Sequence, residues 1–447
     1  MKLTHYSVSL DDFPNPNSVL LFSTFNGKLV VLPKKIAKKI IEGCSEEQFA
    51  EFFDSSSVRF RDFVRSNFCV DNDADEEQML VRRLNSMKFS MKTLLITLGV
   101  CMDCNFHCVY CYEKGAFSKA YMNREVASQV IRWISGILQQ ERPNTLIVEL
   151  FGGEPLLNVP VVEYFLKEMQ KCISKQGSSV RFEVWCNTNG VLLSKKNVDR
   201  LKALGLRSVQ ISIDGPPRIH NLRRRWGDHE KGDSFDTIMA NIKNACDLVE
   251  VLLRINVDYQ NLLHIPELFD IIVEENLRDK VYTKLEPVDP IVDSAHCQKY
   301  AFRNSKDLTN FCWLWEEQAK RGFRMFKLMP TTTTYENIPR NSYVIDPVGN
   351  ICLFQSFIGR KEFVVGNVLT GLNKEFYDSL EIRPWMNCLQ CNYVPICQGG
   401  SRDRVYGLTG RIDGIDCKKQ FYDHAFPLFL RHLYLSRNFK RMLMIRE

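Results

Sequence analysis

The chain has 447 residues, of which 45% are hydrophobic, 25% charged and 11% aromatic. That balance excludes a mainly disordered or collagen-like chain, and no apolar run approaches the roughly 20 residues that cross a bilayer. The net charge of +6 is slight for this length, and its C-terminal part, Arg431, Arg437, Lys440, Arg441 and Arg446, reads as a solvated basic helix end, so no nucleic-acid partner is expected. The opening MKLTHYSVSL runs into Asp11 and Asp12 without the apolar core of a secretory signal, which predicts a cytoplasmic protein and no membrane partner.

At roughly 150 residues per domain, two or three domains are expected. Residues 1–85 read as a small winged-helix-like α+β module. Ser18 to Ser23 and Lys28 to Leu32 are β-type runs, and Asn26-Gly27 between them suits a tight type I′ turn. Pro33 opens a helix ending near Gly43, and Glu47 to Phe53 and Val58 to Val64 suggest two more. The acidic segment Asp71 to Glu77 is a hinge into a further helix. Over 92–288 the pattern becomes strand, helix, strand, helix. The strands are Leu94–Leu98, Leu146–Phe151, Arg181–Cys186, Ser208–Ile213, Val251–Val257 and Val281–Leu285. The helices are Arg124–Gln139, Val161–Gln176, Lys196–Leu204, Ser234–Val249 and Ile265–Asn276. Six such units predict an α/β fold, a partial (β/α)6 barrel with its chemistry at the C-terminal ends of the strands. A connector follows over 289–342, then a Cys-rich extension with a C-terminal helix over 343–447.

The chain holds 16 cysteines, and nine of them crowd into two regions. Without a signal peptide, such clusters point to metal or redox chemistry, while the scattered remainder suit small buried hydrophobes. The first cluster, Cys101-Met-Asp-Cys104-Asn-Phe-His-Cys108-Val-Tyr-Cys111, follows the first barrel strand. Two metal readings are open: a closed zinc site of four thiolates, or three ligands to a 4Fe–4S cluster with one open iron. The spacing of Cys104, Cys108 and Cys111, with Tyr110 before the last, resembles the radical SAM superfamily. Cys101 falls outside that pattern and reads as structural. Later strand ends add to the resemblance: Gly152-Gly153-Glu154-Pro155 is similar to its GGEP motif, and Asn187-Thr188-Asn189-Gly190 to its strand-three ending. Ser212 and Arg224, twelve residues apart, resemble its ribose and carboxylate contacts, and Leu285 its adenine contact. The glycines are expected to let the backbone approach a ligand, and a carbonyl or the Glu154 carboxylate to take the SAM ammonium.

The resemblance implies S-adenosyl-L-methionine (SAM) as cofactor. Its reductive cleavage would give a 5′-deoxyadenosyl radical that abstracts hydrogen from an unactivated C–H bond.

The second cluster, Cys388-Leu-Gln-Cys391-Asn-Tyr-Val-Pro-Ile-Cys397-Gln-Gly-Gly-Ser401 with Cys417 beyond, resembles the SPASM extension of peptide-modifying radical SAM enzymes. That pattern usually serves two auxiliary clusters. Here Gly371 and Ser401 stand where two cysteines of the first would be, leaving Cys352 without evident partners. Cys388, Cys391, Cys397 and Cys417 complete the other. The resemblance thus implies two 4Fe–4S clusters in all, one binding SAM and one auxiliary, with structural zinc the competing reading of the second. It further implies a maturase that crosslinks or epimerises a residue of a ribosomally made precursor peptide. Its partners would be a leader bound by the N-terminal module and a low-potential donor such as ferredoxin or flavodoxin. The alternative is an anaerobic sulfatase-maturase-type enzyme forming formylglycine. A zinc-binding interaction protein and an RNA-modifying enzyme fit these motifs less well.

Overall fold

The computed structural model describes residues 2–45, 47–48, 68–115, 118–175, 179–227, 233–290, 299–324, 338–435 and 443–444. The module opens with β1 (Lys2–Leu3), β2 (Ser7–Asp11), β3 (Ser18–Ser23), β4 (Leu29–Pro33), α1 (Lys34–Glu42), β5 (Cys69–Val70) and α2 (Glu76–Lys88). Strands β2, β3 and β4 form an antiparallel meander. Val19, Leu21, Val30 and Leu32 face Ala37, Ile40 and Phe68, while Leu20, Phe22, Leu29 and Val31 face the main core. Burial on both faces explains why β3 and β4 read as continuous apolar runs rather than alternating ones.

The hairpin turn differs from the sequence expectation. Phe22 pairs with Leu29, and the Gly27 N–H reaches the Ser23 carbonyl at 2.8 Å. Only Gly27 takes positive φ, at 74°. A type I′ turn would need Asn26 there as well, so the connection is a longer loop. The helices expected at Glu47–Phe53 and Val58–Val64 lie outside the described residues apart from 47–48.

Six parallel strands follow, hydrogen-bonded in chain order: β6 (Thr93–Cys101), β8 (Thr145–Gly152), β9 (Arg181–Thr188), β10 (Leu206–Ser212), β12 (Glu250–Val257) and β13 (Val281–Pro287). Helices lie between them. Arg124–Glu141 is representative: Asn123 caps it through the Val126 N–H, and Ala127, Val130, Ile131, Ile134 and Leu138 form its buried stripe. A two-stranded ribbon, β7 (Phe106–Cys108) with β11 (Arg224–Trp226), sits beside the barrel and was not anticipated from sequence.

The sheet does not stop at the barrel. β14 (Ser342–Ile345) adds in parallel to the outer edge of β6, and β15 (Asn350–Cys352), β16 (Val364–Asn367) and β17 (Gly371–Leu372) continue antiparallel, giving ten strands. An open β6 edge would leave unpaired backbone groups, and this segment covers it. The helix Lys419–Leu435 packs on the module through Phe426 and Phe22, with ring centroids 5.7 Å apart. Beyond it Leu443–Met444 pairs in parallel with Val30 and Val31 of β4. Among the described residues no helix is long and apolar enough to cross a membrane.

Lys88 ends α2 fully buried, its Nζ donating to the Ile382 carbonyl at 2.9 Å. Burial, with Arg383 nearby, pushes its pKa down to about 7 from 10.5. The unfolded chain therefore binds more protons between those values, and stability should rise with pH from about 7 to about 10.5. Urea unfolding across that range should show the rise in the wild type and a flattened profile in Lys88→Met. Equal slopes would contradict the assignment.

Candidate functional site

The C-terminal ends of the barrel strands open on a cavity of about 190 Å³. Cys104, Cys108, Cys111, Tyr110, Gly152, Gly153, Asn187, Ser212 and Arg224 all line it, whereas Glu154 and Leu285 do not. Further along the Leu285 strand, Pro287 and the following Val288 reach the cavity instead.

The cysteine loop is pinned from beneath. Gly153 N–H donates to the Cys101 carbonyl at 3.1 Å and Glu154 N–H to the Asp103 carbonyl at 2.9 Å. A Cβ on Gly152 would fall 2.0 Å from the Cys101 oxygen, and one on Gly153 2.3 Å from the Asp103 oxygen. These glycines therefore admit the cysteine loop itself, and both also line the cavity. Cys101 is fully buried, and its thiol donates to the Glu154 carbonyl at 3.0 Å, in keeping with a structural role.

The Glu154 carboxylate is engaged as well. It accepts from Thr188 Oγ1 at 2.8 Å, the Asn189 N–H at 2.7 Å and the Leu156 N–H at 3.0 Å. With its carboxylate and its carbonyl both engaged by protein donors, Glu154 braces the strand ends.

Arg224 reaches the cavity through the ribbon, where its backbone pairs with Cys108. Its Nη1 donates to the Tyr110 hydroxyl at 2.9 Å, which donates to Asp214 Oδ2 at 2.5 Å. Asn256 donates to both Tyr110 and Asp214, and Arg223 bonds Asp258 at 2.7 Å while lying 3.6 Å from Asp214. Two buried guanidinium groups thus face two buried carboxylates. Burial alone would raise the Asp214 pKa, but Arg224 and Arg223 hold it below the usual carboxylate range. Burial, reinforced by Arg224, pushes His220 down to about 3, so its ring is neutral. The Arg224 Nε is buried without a hydrogen-bond partner.

Burial pushes all three cavity thiols up, strongly for Cys104 and Cys111, where neighbouring thiolates add to it, while Arg224 opposes the shift at Cys108. A metal centre relieves that strain, because its charge stabilises the thiolates that burial disfavours. Sequence reading missed Gln210, Arg254, Asn256, Asp289, Glu113 and Gln355 as cavity residues. The alternation of Arg254 and Asn256 with apolar neighbours on β12 was the available signal. Gln355 enters from the C-terminal segment and carried no such signal.

In the second cysteine group, Cys388 stands near Cys391 and Cys417. Cys391 N–H donates to the Cys388 carbonyl at 2.8 Å, and burial with the neighbouring Cys391 and Cys417 raises the Cys388 thiol. Cys397 ends a short helix, Val394–Cys397, and Asp416, next to Cys417, returns to the Gly399 carbonyl at 3.1 Å. Buried Arg402 fixes this loop, donating to the carbonyls of Gly399, Gly400, Ile412 and Gly414. Gln398, beside Cys397, is fully buried with neither amide atom partnered. Four thiols and an orphaned amide suit a thiolate-bound metal centre. Among the described residues, however, neither this group nor the cavity thiols bring three or more His, Cys, Asp or Glu side chains to the position of a single ion.

Cys352 lies 1% exposed in an apolar cluster with Met102, Phe151, Val344 and Ile358, and burial pushes its thiol up to about 12. Ser401 donates to Asp403, which also accepts from Ser356 at 3.0 Å.

Residues 100–272 match the radical SAM superfamily. Over 272 residues the chain is 24% identical to the radical SAM cyclopropyl synthase TigE of Paramaledivibacter caminithermalis, covering 55% of this chain and 56% of that one. Over 381 residues it is 22% identical to a cysteine-type anaerobic sulfatase-maturating enzyme of Clostridium perfringens, covering 75% and 96%. The chain spans about half the length of the first curated relatives it matches. The fold is similar to that of Streptococcus suis SuiB bound to its precursor peptide SuiA, with a TM-score of 0.53 and 13% identity over 93% of this chain and 98% of that one.

Glu154→Ala would strand the Thr188 hydroxyl and the N–H groups of Leu156 and Asn189. Urea denaturation should report a loss of at least about 3 kcal/mol. A loss below about 1 kcal/mol would show that water replaces the carboxylate, and would remove Glu154 as the brace.

Proposed function

From the premise that this chain carries a radical SAM domain, we propose that it is an enzyme that uses SAM and a 4Fe–4S cluster to modify a ribosomally made peptide, by crosslinking or epimerisation. The observation that carries the reading is that Cys104, Cys108, Cys111, Ser212 and Arg224 line one cavity. Bound there, the cluster and SAM would supply one-electron cleavage to a 5′-deoxyadenosyl radical. The chain's residues bind and orient. Cys104, Cys108 and Cys111 would hold three irons. The Arg224 guanidinium, held in place by Tyr110, would take the SAM carboxylate, and Ser212 the ribose. Asn187 is steered by Glu149, which accepts its Nδ2 at 2.9 Å.

Cys388, Cys391, Cys397 and Cys417 would hold an auxiliary 4Fe–4S cluster with no open iron, suited to electron relay. A low-potential donor such as ferredoxin or flavodoxin would supply the electron.

Three things support the peptide substrate. The cysteine pattern is SPASM-like, the fold is similar to that of SuiB bound to its precursor peptide, and the N-terminal sheet offers edges for strand addition. The β4 edge already accepts Leu443–Met444, while β2 forms the opposite edge. The sulfatase-type alternative rests on the 22% identity to the Clostridium perfringens enzyme.

Anaerobically purified protein should bind about eight irons, and about four after Cys104, Cys108 and Cys111 are changed to Ala. About twelve would mean a third cluster, and stoichiometric zinc would sink the auxiliary iron–sulfur reading. Arg224→Gln should weaken SAM binding to the cluster-loaded protein about ten- to a hundred-fold. Unchanged affinity would remove Arg224 from the SAM site. Incubated with SAM and reductant, a leader-bearing precursor peptide should be modified far faster than its leaderless core. Equal turnover of a short Cys or Ser peptide would favour the sulfatase-type reading.

A further inference from the structure

The N-terminal module and the second cysteine group touch at the ligand loop itself. Three residues beside Cys391, Leu389, Gln390 and Asn392, each present a carbonyl to a side chain of the module. The Tyr6 hydroxyl donates to Leu389 O at 2.9 Å, and the Thr24 hydroxyl to Asn392 O at 2.5 Å. His5 Nε2 meets Gln390 O at 2.6 Å, a distance that requires the proton on that nitrogen. In return the Asn392 amide donates to the Ser7 carbonyl at 3.3 Å, and the Gln390 amide to Glu77 at the start of α2. Beneath these bonds Tyr6, Phe25, Leu80, Leu84, Trp385 and Val394 form a dry cluster against which Cys388 and Cys391 pack. Trp385 and Tyr6 are 0% and 1% exposed. A domain that merely bordered the extension would not anchor the backbone between two cysteines of one centre.

We propose that the N-terminal module is a working part of the auxiliary centre: Tyr6, Thr24 and His5 are positioning residues that hold the Cys388–Cys391 loop and shut water out from one side of its metal. This rests on reading Cys388, Cys391, Cys397 and Cys417 as a metal centre. Tyr6 lies one residue before β2, and Thr24 one residue after β3.

The test uses the full chain with Cys104, Cys108 and Cys111 changed to Ala, so that all bound metal belongs to the second group. Into this parent are placed Tyr6→Phe with Thr24→Val, and separately His5→Ala, an exposed position whose change leaves the core intact. Two readouts follow: the rate of metal release to a chelator, and the midpoint potential of the auxiliary cluster from a redox titration. The double change should speed release about tenfold, the worth of two hydrogen bonds. It should also raise the midpoint, because water admitted to the site solvates the more anionic reduced cluster. His5→Ala should shift both in the same direction by less. Release and midpoint unchanged in both variants overturn the proposal. A parent that holds zinc overturns the iron–sulfur reading alone, and the release rates still decide whether the module holds the loop. A parent that holds no metal overturns both.

Discussion

The Glu154 carboxylate, fully buried, accepts hydrogen bonds from Thr188, Asn189 and Leu156, while its own carbonyl receives the Cys101 thiol. One residue therefore ties the end of β8 to the end of β9 and to the loop that carries the first cysteines. Burial pushes this carboxyl up, and the bonds from Asn189, Leu156 and Thr188 work against that shift. A buried carboxylate is tolerable only when its lone pairs are filled, so the site accepts little variation here. The loop rests on two glycines because any side chain would collide with the Cys101 or Asp103 oxygen.

From this brace the rest of the cavity follows. The Phe106–Cys108 strand leaves the pinned loop and pairs with Arg224–Trp226, which sets Arg224 opposite Cys108. A guanidinium carried so deep needs neutralisation, and the Tyr110–Asp214–Asn256 network with the Arg223–Asp258 pair provides it. Such networks contribute modestly to net stability because desolvation offsets the attraction. Their value here is orientation: Arg224 is held by Tyr110, and Tyr110 by Asp214. Across the molecule, the Cys388–Cys417 group depends on contacts of another kind, the Arg402 bonds to four carbonyls and the module side chains on Leu389, Gln390 and Asn392.

The barrel was legible in the sequence because each strand is a short apolar run followed by an amphipathic helix, two patterns set by local geometry. Strand Leu146–Phe151 extends to Thr145–Gly152, and Arg181–Cys186 to Arg181–Thr188, differences confined to fraying ends. The cavity cysteines and Arg224 were legible because their spacing carries the chemistry. What escaped was non-local. The β14 strand pairs with β6 across some 240 residues of chain, and no local periodicity encodes that choice of edge. Gln355 lines the cavity because the segment that carries it, between β15 and β16, came with that added sheet. The bracing role of Glu154 escaped because its three partners, Thr188, Asn189 and Leu156, come together only in the fold. The Asn26-Gly27 turn was misjudged because the pair suits a two-residue turn, whereas the register is set by Phe22 against Leu29.

The central claim is that the cavity at the barrel mouth is a SAM-cleaving site built on Cys104, Cys108 and Cys111. The most direct measurement is the formation of 5′-deoxyadenosine when the anaerobically reconstituted protein meets SAM and a strong reductant, quantified by chromatography with mass detection. The account predicts nucleoside formation by the wild type and none by Cys108→Ala, even though the latter still binds metal at its second cysteine group. Nucleoside formation that survives loss of Cys108, or none from wild-type protein loaded with iron, would contradict it.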